Sequence, residues 1–297
     1  MTAVLVLMSS WGVFADDGVA LERLPSVHEL AELDQQIDAY DALTTDVRWG
    51  LHLSTIGATG SQGLGMLDFR ATRAGDRLVL PGSSSLRWAV GGGVHSWSGQ
   101  NDALLPNTLY DLDLDVSLVL WEHERGAVSV GITPGLYGDM QFVDSSTFQV
   151  TGWVNGTLDL GERWTLVGGV AVVRQLESRW LPLGGVIWRP APEWQVDLVF
   201  PRPRIARQVA QSDDGDAWLY LAGQFGGGAW SIDDPIVGPA MIRYSDLRLL
   251  AGLNLWRASG RELSLELGYV FSREVAIDDL IVSNPTDSWI AQLSWAF

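Results

Sequence analysis

The chain has no cysteine, which excludes a disulfide framework and thiolate metal sites. Past the N-terminus it has no run of about eighteen apolar residues, so spanning helices are not expected. Basic residues are scarce: 19 Lys and Arg stand against 36 Asp and Glu, a formal net charge of -17. Nucleic acid is therefore not an expected partner, since such proteins cluster Lys and Arg. Catalytic motifs are missing as well. There is no G-x-S-x-G elbow, H-E-x-x-H, phosphate-binding loop or EF-hand loop. No catalytic residue, metal or cofactor is expected, and the sequence points away from an enzyme. Gly is plentiful, at 33 residues, but scattered without period, which excludes collagen.

Tryptophan is abundant. Fifteen Trp stand against 6 Tyr and 8 Phe, and Trp favours membrane interfaces, where its ring is half apolar and half wet. Residues 1–15 (MTAVLVLMSSWGVFA) read as a secretory signal peptide, with an apolar run and an A-x-A-like site at Val13-Phe14-Ala15. The usual Lys or Arg ahead of that run is missing. Residues 16–45 are polar and read as a periplasmic leader. Ser26 and Glu29 form a capping box for a short helix there.

From Asp46 to Phe297 the hydrophobic period becomes two. Leu112, Leu114, Val116, Leu118 and Leu120 share one strand face, and Asp111, Asp113, Asp115 and Ser117 the other. Leu247, Leu249, Ala251, Leu253 and Leu255 oppose Asp246, Arg248 and Asn254. Leu263, Leu265, Leu267, Tyr269 and Phe271 oppose Glu262, Ser264, Glu266 and Ser272. The runs approach the roughly 9–11 residues that a tilted strand needs to cross a bilayer. Connections alternate short (Gly161-Glu162-Arg163, Ala258-Ser259-Gly260) and long (Glu274 to Asp287), as periplasmic turns and outer loops do. The expected fold is all-β: a transmembrane antiparallel up-and-down barrel of about twelve to fourteen strands, in a bacterial outer membrane. Fourteen requires Trp194 to Phe200 and Arg204 to Ala210 to be two strands joined at Pro201-Arg202-Pro203.

The lumen-lining candidates are Asp111, Asp113, Asp115, Asp197, Arg248, Glu262, Glu266 and Arg87. The three Asp residues of the first run lie about 6.6 Å apart along a strand. That is too dispersed for a Ca²⁺ cage, whose oxygens lie within about 2.6 Å of the ion. Pairing with Arg70, Arg87 and Arg248 is the expected arrangement. His52 and His95 fall on polar faces, and Ser54 and Ser96 are near them in sequence; His28 lies in the leader and His123 in a turn. The glycines Gly91 to Gly93 and Gly226 to Gly228 are expected to permit strong strand coiling. The C-terminal run carrying Trp289, Leu293, Trp295 and Phe297 resembles the insertion signal read by the barrel-assembly machinery of bacterial outer membranes.

Four stretches also resemble a bacterial family of uncharacterised outer-membrane-barrel-like proteins carrying a domain of unknown function. They are Asp197 to Arg207 with its Pro-Arg-Pro-Arg run, Leu181 to Trp188, Gly226 to Trp230, and Glu266 to Arg273. The likeness covers roughly Val47 to Phe297. It implies an exported barrel and supplies neither substrate nor catalytic residues. The Pro-Arg-Pro-Arg run reads as a tight outer hairpin or a bulge folded into the lumen, its Arg residues near carboxylates such as Asp197. The functional expectation is a porin-like channel for unknown small solutes or cations, touching outer-membrane lipid. A structural or anchoring barrel is the alternative, and a lipid-hydrolysing barrel a distant one.

Overall fold

The computed structural model describes Arg48 to Phe297, apart from residues 61–62, 76–77, 80–84, 100–104, 142, 144, 175–179, 235–237 and 279. The expected signal peptide, the expected leader helix and His28 lie outside the described residues. Sixteen strands follow one another, with no helix among the described residues. They are β1 (Arg48–Ile56), β2 (Gly65–Ala74), β3 (Leu78–Val79), β4 (Ser85–Ser98), β5 (Thr108–His123), β6 (Gly126–Gly138), β7 (Phe148–Asp159) and β8 (Trp164–Val172). Then come β9 (Trp180–Trp188), β10 (Trp194–Phe200), β11 (Arg204–Ser212), β12 (Gly215–Asp234), β13 (Gly238–Arg257), β14 (Glu262–Ile277), β15 (Leu280–Ser283) and β16 (Ser288–Ala296).

Fourteen of these close into one antiparallel barrel. β3 and β15 are short additions, on β4 and β14. Sequence neighbours pair all the way round, and β16 joins β14 to β1, so no strand of the wall is left at an edge. The two strands flanking Pro201-Arg202-Pro203 are present as β10 and β11, which is what the count of fourteen required. Closure satisfies the backbone within the wall, the condition for crossing hydrocarbon.

The two-residue period decides the faces. Leu112, Leu249 and Leu267 are exposed on the outside, whereas Asp113, Arg248 and Glu266 are buried inside. Aromatic side chains stand near the short-turn end: Trp164 stacks on Trp188 at 5.3 Å, and Trp295 packs on Phe297 at 4.5 Å. An apolar outside with aromatic girdles fits a bacterial outer-membrane barrel. One strand departs from simple alternation. Ser272 is exposed at φ 51, and Arg273 is buried beyond it. Ser272 therefore does not continue the inner row of Glu262, Ser264 and Glu266; the left-handed residue switches the parity.

That switch belongs to a larger bend. β12 and β13 are twenty residues each, about twice what a crossing needs. At Gly227 φ is +121, and a Cβ there would lie 2.0 Å from the Tyr244 carbonyl oxygen. Opposite, the β13–β14 ladder slips between Ser245 and Leu247. Above this level the β12–β13 hairpin leans across the barrel. Ser231 of β12 bridges Gly138 of β6, and the Asp139 amide donates to the Ser231 carbonyl at 3.1 Å. The outer half is thus pinched into two lobes. Nine strands (β12, β13, β14, β16, β1, β2, β4, β5 and β6) enclose an apolar core that includes Trp97, Leu109, Trp230, Ile242, Tyr244 and Ile290. The smaller lobe holds Trp153, Ala171, Val173, Leu181 and Leu183.

Candidate functional site

Among the described residues, ionised groups gather in rows on the inner face, so it is the candidate site. Period-two alternation brings Asp111, Asp113 and Asp115 of β5 onto it, and each takes a different partner. Arg70 of β2 donates from Nη2 to both carboxylate oxygens of Asp113 at 2.7 Å. Asp111 accepts from Trp230 Nε1 at 2.6 Å and lies 2.9 Å from His95 Nε2. The other ring nitrogen of His95 lies 2.9 Å from Asp68. Asp115 accepts from the Thr133 hydroxyl at 2.9 Å. The row is consumed by cross-strand bonding.

The remaining candidates also point inward. Arg248 donates from Nε to Asp246 at 2.7 Å and from Nη2 at 3.1 Å, a two-nitrogen fork on a carboxylate of its own strand. Glu266 accepts from Tyr220 at 2.7 Å, and Glu262 from Asn254 at 2.8 Å. Asp197 faces Arg204 across the β10–β11 ladder and accepts from Gln195 at 2.9 Å. Arg87 is half-buried, opposite Ser117. The Pro-Arg-Pro-Arg run forms a tight turn in which the Arg202 amide donates to the Val199 carbonyl at 3.0 Å. Arg204 lays its guanidinium 3.9 Å from the Tyr220 ring centroid. At the C-terminus Trp289, Leu293, Trp295 and Phe297 all face outward.

Several participants carry no mark in the sequence. Arg174 sits 3.3 Å over the Tyr137 ring and donates to the Ala229 carbonyl at 3.0 Å. Asp139 accepts from the Asp233 amide at 3.1 Å, and Ser146 meets Ser231 hydroxyl to hydroxyl at 2.7 Å. Arg273 binds the Tyr244 hydroxyl and the Leu64 carbonyl. These groups hold the β12–β13 hairpin in place. The available signal for the hairpin was Gly226-Gly227-Gly228 at the middle of an overlong apolar-alternating stretch.

His52 Nδ1 lies 2.8 Å from Ser294 Oγ, a spacing also seen between a nucleophile and its base. Its sequence neighbour Ser54 is buried without a hydrogen bond, and Ser96 faces outward. The His52–Ser294 pair is buried in the filled interior, so its position suits a polar bridge between β1 and β16 rather than attack on a lipid ester.

As a whole the lumen is packed. Asp68, Asp113, Asn155, Asp246, Glu262 and Gln292 come from strands all round the wall, and each is no more than 5% exposed. Where a porin-like channel would leave an open lumen, inward side chains fill this one. It holds charge in a buried network of cross-strand ion pairs and hydrogen bonds.

No family model matches the sequence, and no curated protein matches it significantly. Among solved structures the chain is similar to the COG4313 outer membrane channel from Pseudomonas putida F1 (TM-score 0.44, 14% identity, covering 86% of this chain and 96% of that one). It is also similar to a bacterial polysaccharide outer membrane secretin (0.42, 10%, 86% and 99%). A third likeness is to LpxR from Salmonella typhimurium (0.38, 9%, 84% and 99%). Likenesses this distant carry no argument about chemistry, and the barrel rests on its own geometry.

Proposed function

We propose that this outer-membrane barrel is a gated channel for small solutes, seen closed, with the β12–β13 hairpin as its gate. The observation that carries the reading is the hairpin itself. It is twice the length of a crossing, bent at Gly227, and laid over a lumen lined by ionised side chains. It meets the far wall through one strand bridge and hydrogen bonds of Trp230, Ser231, the Ala229 carbonyl and the Asp233 amide, and its apolar side chains join the core of the larger lobe. A permanently sealed wall has no need of that device.

The chain has no cysteine, so a single pair can be introduced cleanly. Ser146 and Ser231 already meet at 2.7 Å, and S146C/S231C places two thiols where a disulfide can form. In planar bilayers the oxidised variant should be silent, and reduction should restore conductance steps. Equal conductance in both states would end the gate reading. The filled lumen favours one other reading, a structural barrel that conducts nothing. Silence of the wild-type and reduced proteins at all voltages, with assembly intact, would establish it.

A further inference from the structure

The outer surface is not convex all the way round. From β10 through β16 to β2 the wall is drawn inward, leaving a cleft of about 950 Å³ on the outside. Its walls are the outward side chains of Leu53, Leu67, Leu221, Leu253, Leu267 and Leu293. On the inner side this stretch of wall is tied together laterally, Tyr220 to Glu266 across β13 and His52 to its ladder partner Ser294. The volume is at the upper end of the range for ligand pockets, about 300–1,000 Å³. The cleft lies within the lipid belt and its backbone is paired within the wall, so water has little to bond there.

One edge of the cleft is different. Trp194 and Arg207 pair across the β10–β11 ladder, with the guanidinium 5.4 Å from the ring centroid. Trp194 follows directly on the short turn at Ala191-Pro192-Glu193, which places this pair at the periplasmic headgroup level. Two charged residues line the cleft, Glu266 and Arg207. Glu266 turns its carboxylate inward to Tyr220, so Arg207 is the charge on the lipid side. The turns just below carry acids and bases alike: Glu193, Asp213 and Asp214 with Arg257 and Arg261. Their balance gives no reason to select net lipid charge, whereas Arg207 selects a phosphate.

We infer that the cleft is a fixed binding site for one phospholipid of the periplasmic leaflet. Its acyl chains lie along the leucine wall, and its phosphate rests on Arg207 beside Trp194. A convex wall offers a lipid little contact; an indented one meets its chains over a wider apolar face.

The test is retention of phospholipid by the purified full-length barrel during exhaustive detergent washing, read by native mass spectrometry. The wild type should keep a single phospholipid. Ala251→Trp, which fills the cleft from its floor, should lose it, and Arg207→Gln should retain clearly less. Leu114→Trp, on a strand outside the cleft, should retain it as the wild type does. Heat-modifiable gel mobility establishes that each variant is assembled. Wild-type protein that washes free of phospholipid, or equal retention by Ala251→Trp and Arg207→Gln, would overturn the site. Retention of lipopolysaccharide in its place would overturn it too. The readout is independent of conductance, so the channel and the lipid site stand or fall separately.

Discussion

The chain contains no lysine, so every permanently cationic side chain of this barrel is an arginine. Inside a packed lumen that matters, because the planar guanidinium fork can hold a carboxylate through two bonds. Arg248 on Asp246 is the clearest case, with Nε and Nη2 each on one carboxylate oxygen, and Arg70 holds Asp113 through Nη2 alone, both partners buried. Arg70→Met should strand the Asp113 charge and cost about 3–5 kcal/mol, seen as a lower urea concentration at which heat-modifiable mobility is lost; an unchanged midpoint would mean that other groups carry Asp113. On the lipid side, Leu114→Arg should cost about 2–4 kcal/mol near the bilayer centre. Ser117→Arg, which an open lumen would tolerate, is now expected to be harmful as well. Ser117 is buried, and its ladder partner is Arg87. Overpacking of that kind costs about 1–3 kcal/mol. Parity alone was enough to place Asp111, Asp113, Asp115, Glu262 and Glu266 inside. Their partners were not legible, because they arrive from remote strands: Trp230 is 119 positions from Asp111, and Ser294 is 242 from His52.

At the scale of elements, the β12–β13 hairpin depends on a backbone conformation that only glycine adopts easily. Gly227→Ala would drive a methyl group into the Tyr244 carbonyl. The hairpin should then straighten out of the barrel, and limited proteolysis should cut β12 or β13 faster than in the wild type. Resistance equal to the wild type would show that the bend tolerates a side chain. The closing strand makes a separate prediction. Phe297 exchanges two backbone bonds with Trp49, each 2.9 Å, so it seals the seam as well as packing on Trp295. Its deletion should lower the yield of assembled barrel on unheated gels without changing the properties of the fraction that assembles. The strands and the Pro201–Pro203 turn were readable from spacing and turn residues. The switch at Ser272 was not, since a left-handed serine has no sequence signature. The fold-over of the hairpin was not readable either, because a local run of glycines says that a strand can bend and not which way.

For the whole molecule, the two lobes set what opening would involve. Trp230→Ala removes the ring that sits among Trp97, His95 and Asp111. It should cost about 3–5 kcal/mol locally and, on the channel reading, raise single-channel conductance or open frequency in planar bilayers. A silent, fully assembled Trp230→Ala protein would count against a gate at this position. The class of fold was legible because a barrel repeats one simple pattern many times; the filled lumen was not, because packing across a barrel depends on the shape of the closed wall. The unevenness of that wall also has a consequence in time. The β10–β11 ladder holds four residue pairs, against twenty between β12 and β13. Amide hydrogens are released where the fewest bonds must break together. Deuterium should therefore enter at Trp194 to Arg207 long before it reaches β13 and β14, so that the barrel breathes through a single short panel beside the indented wall.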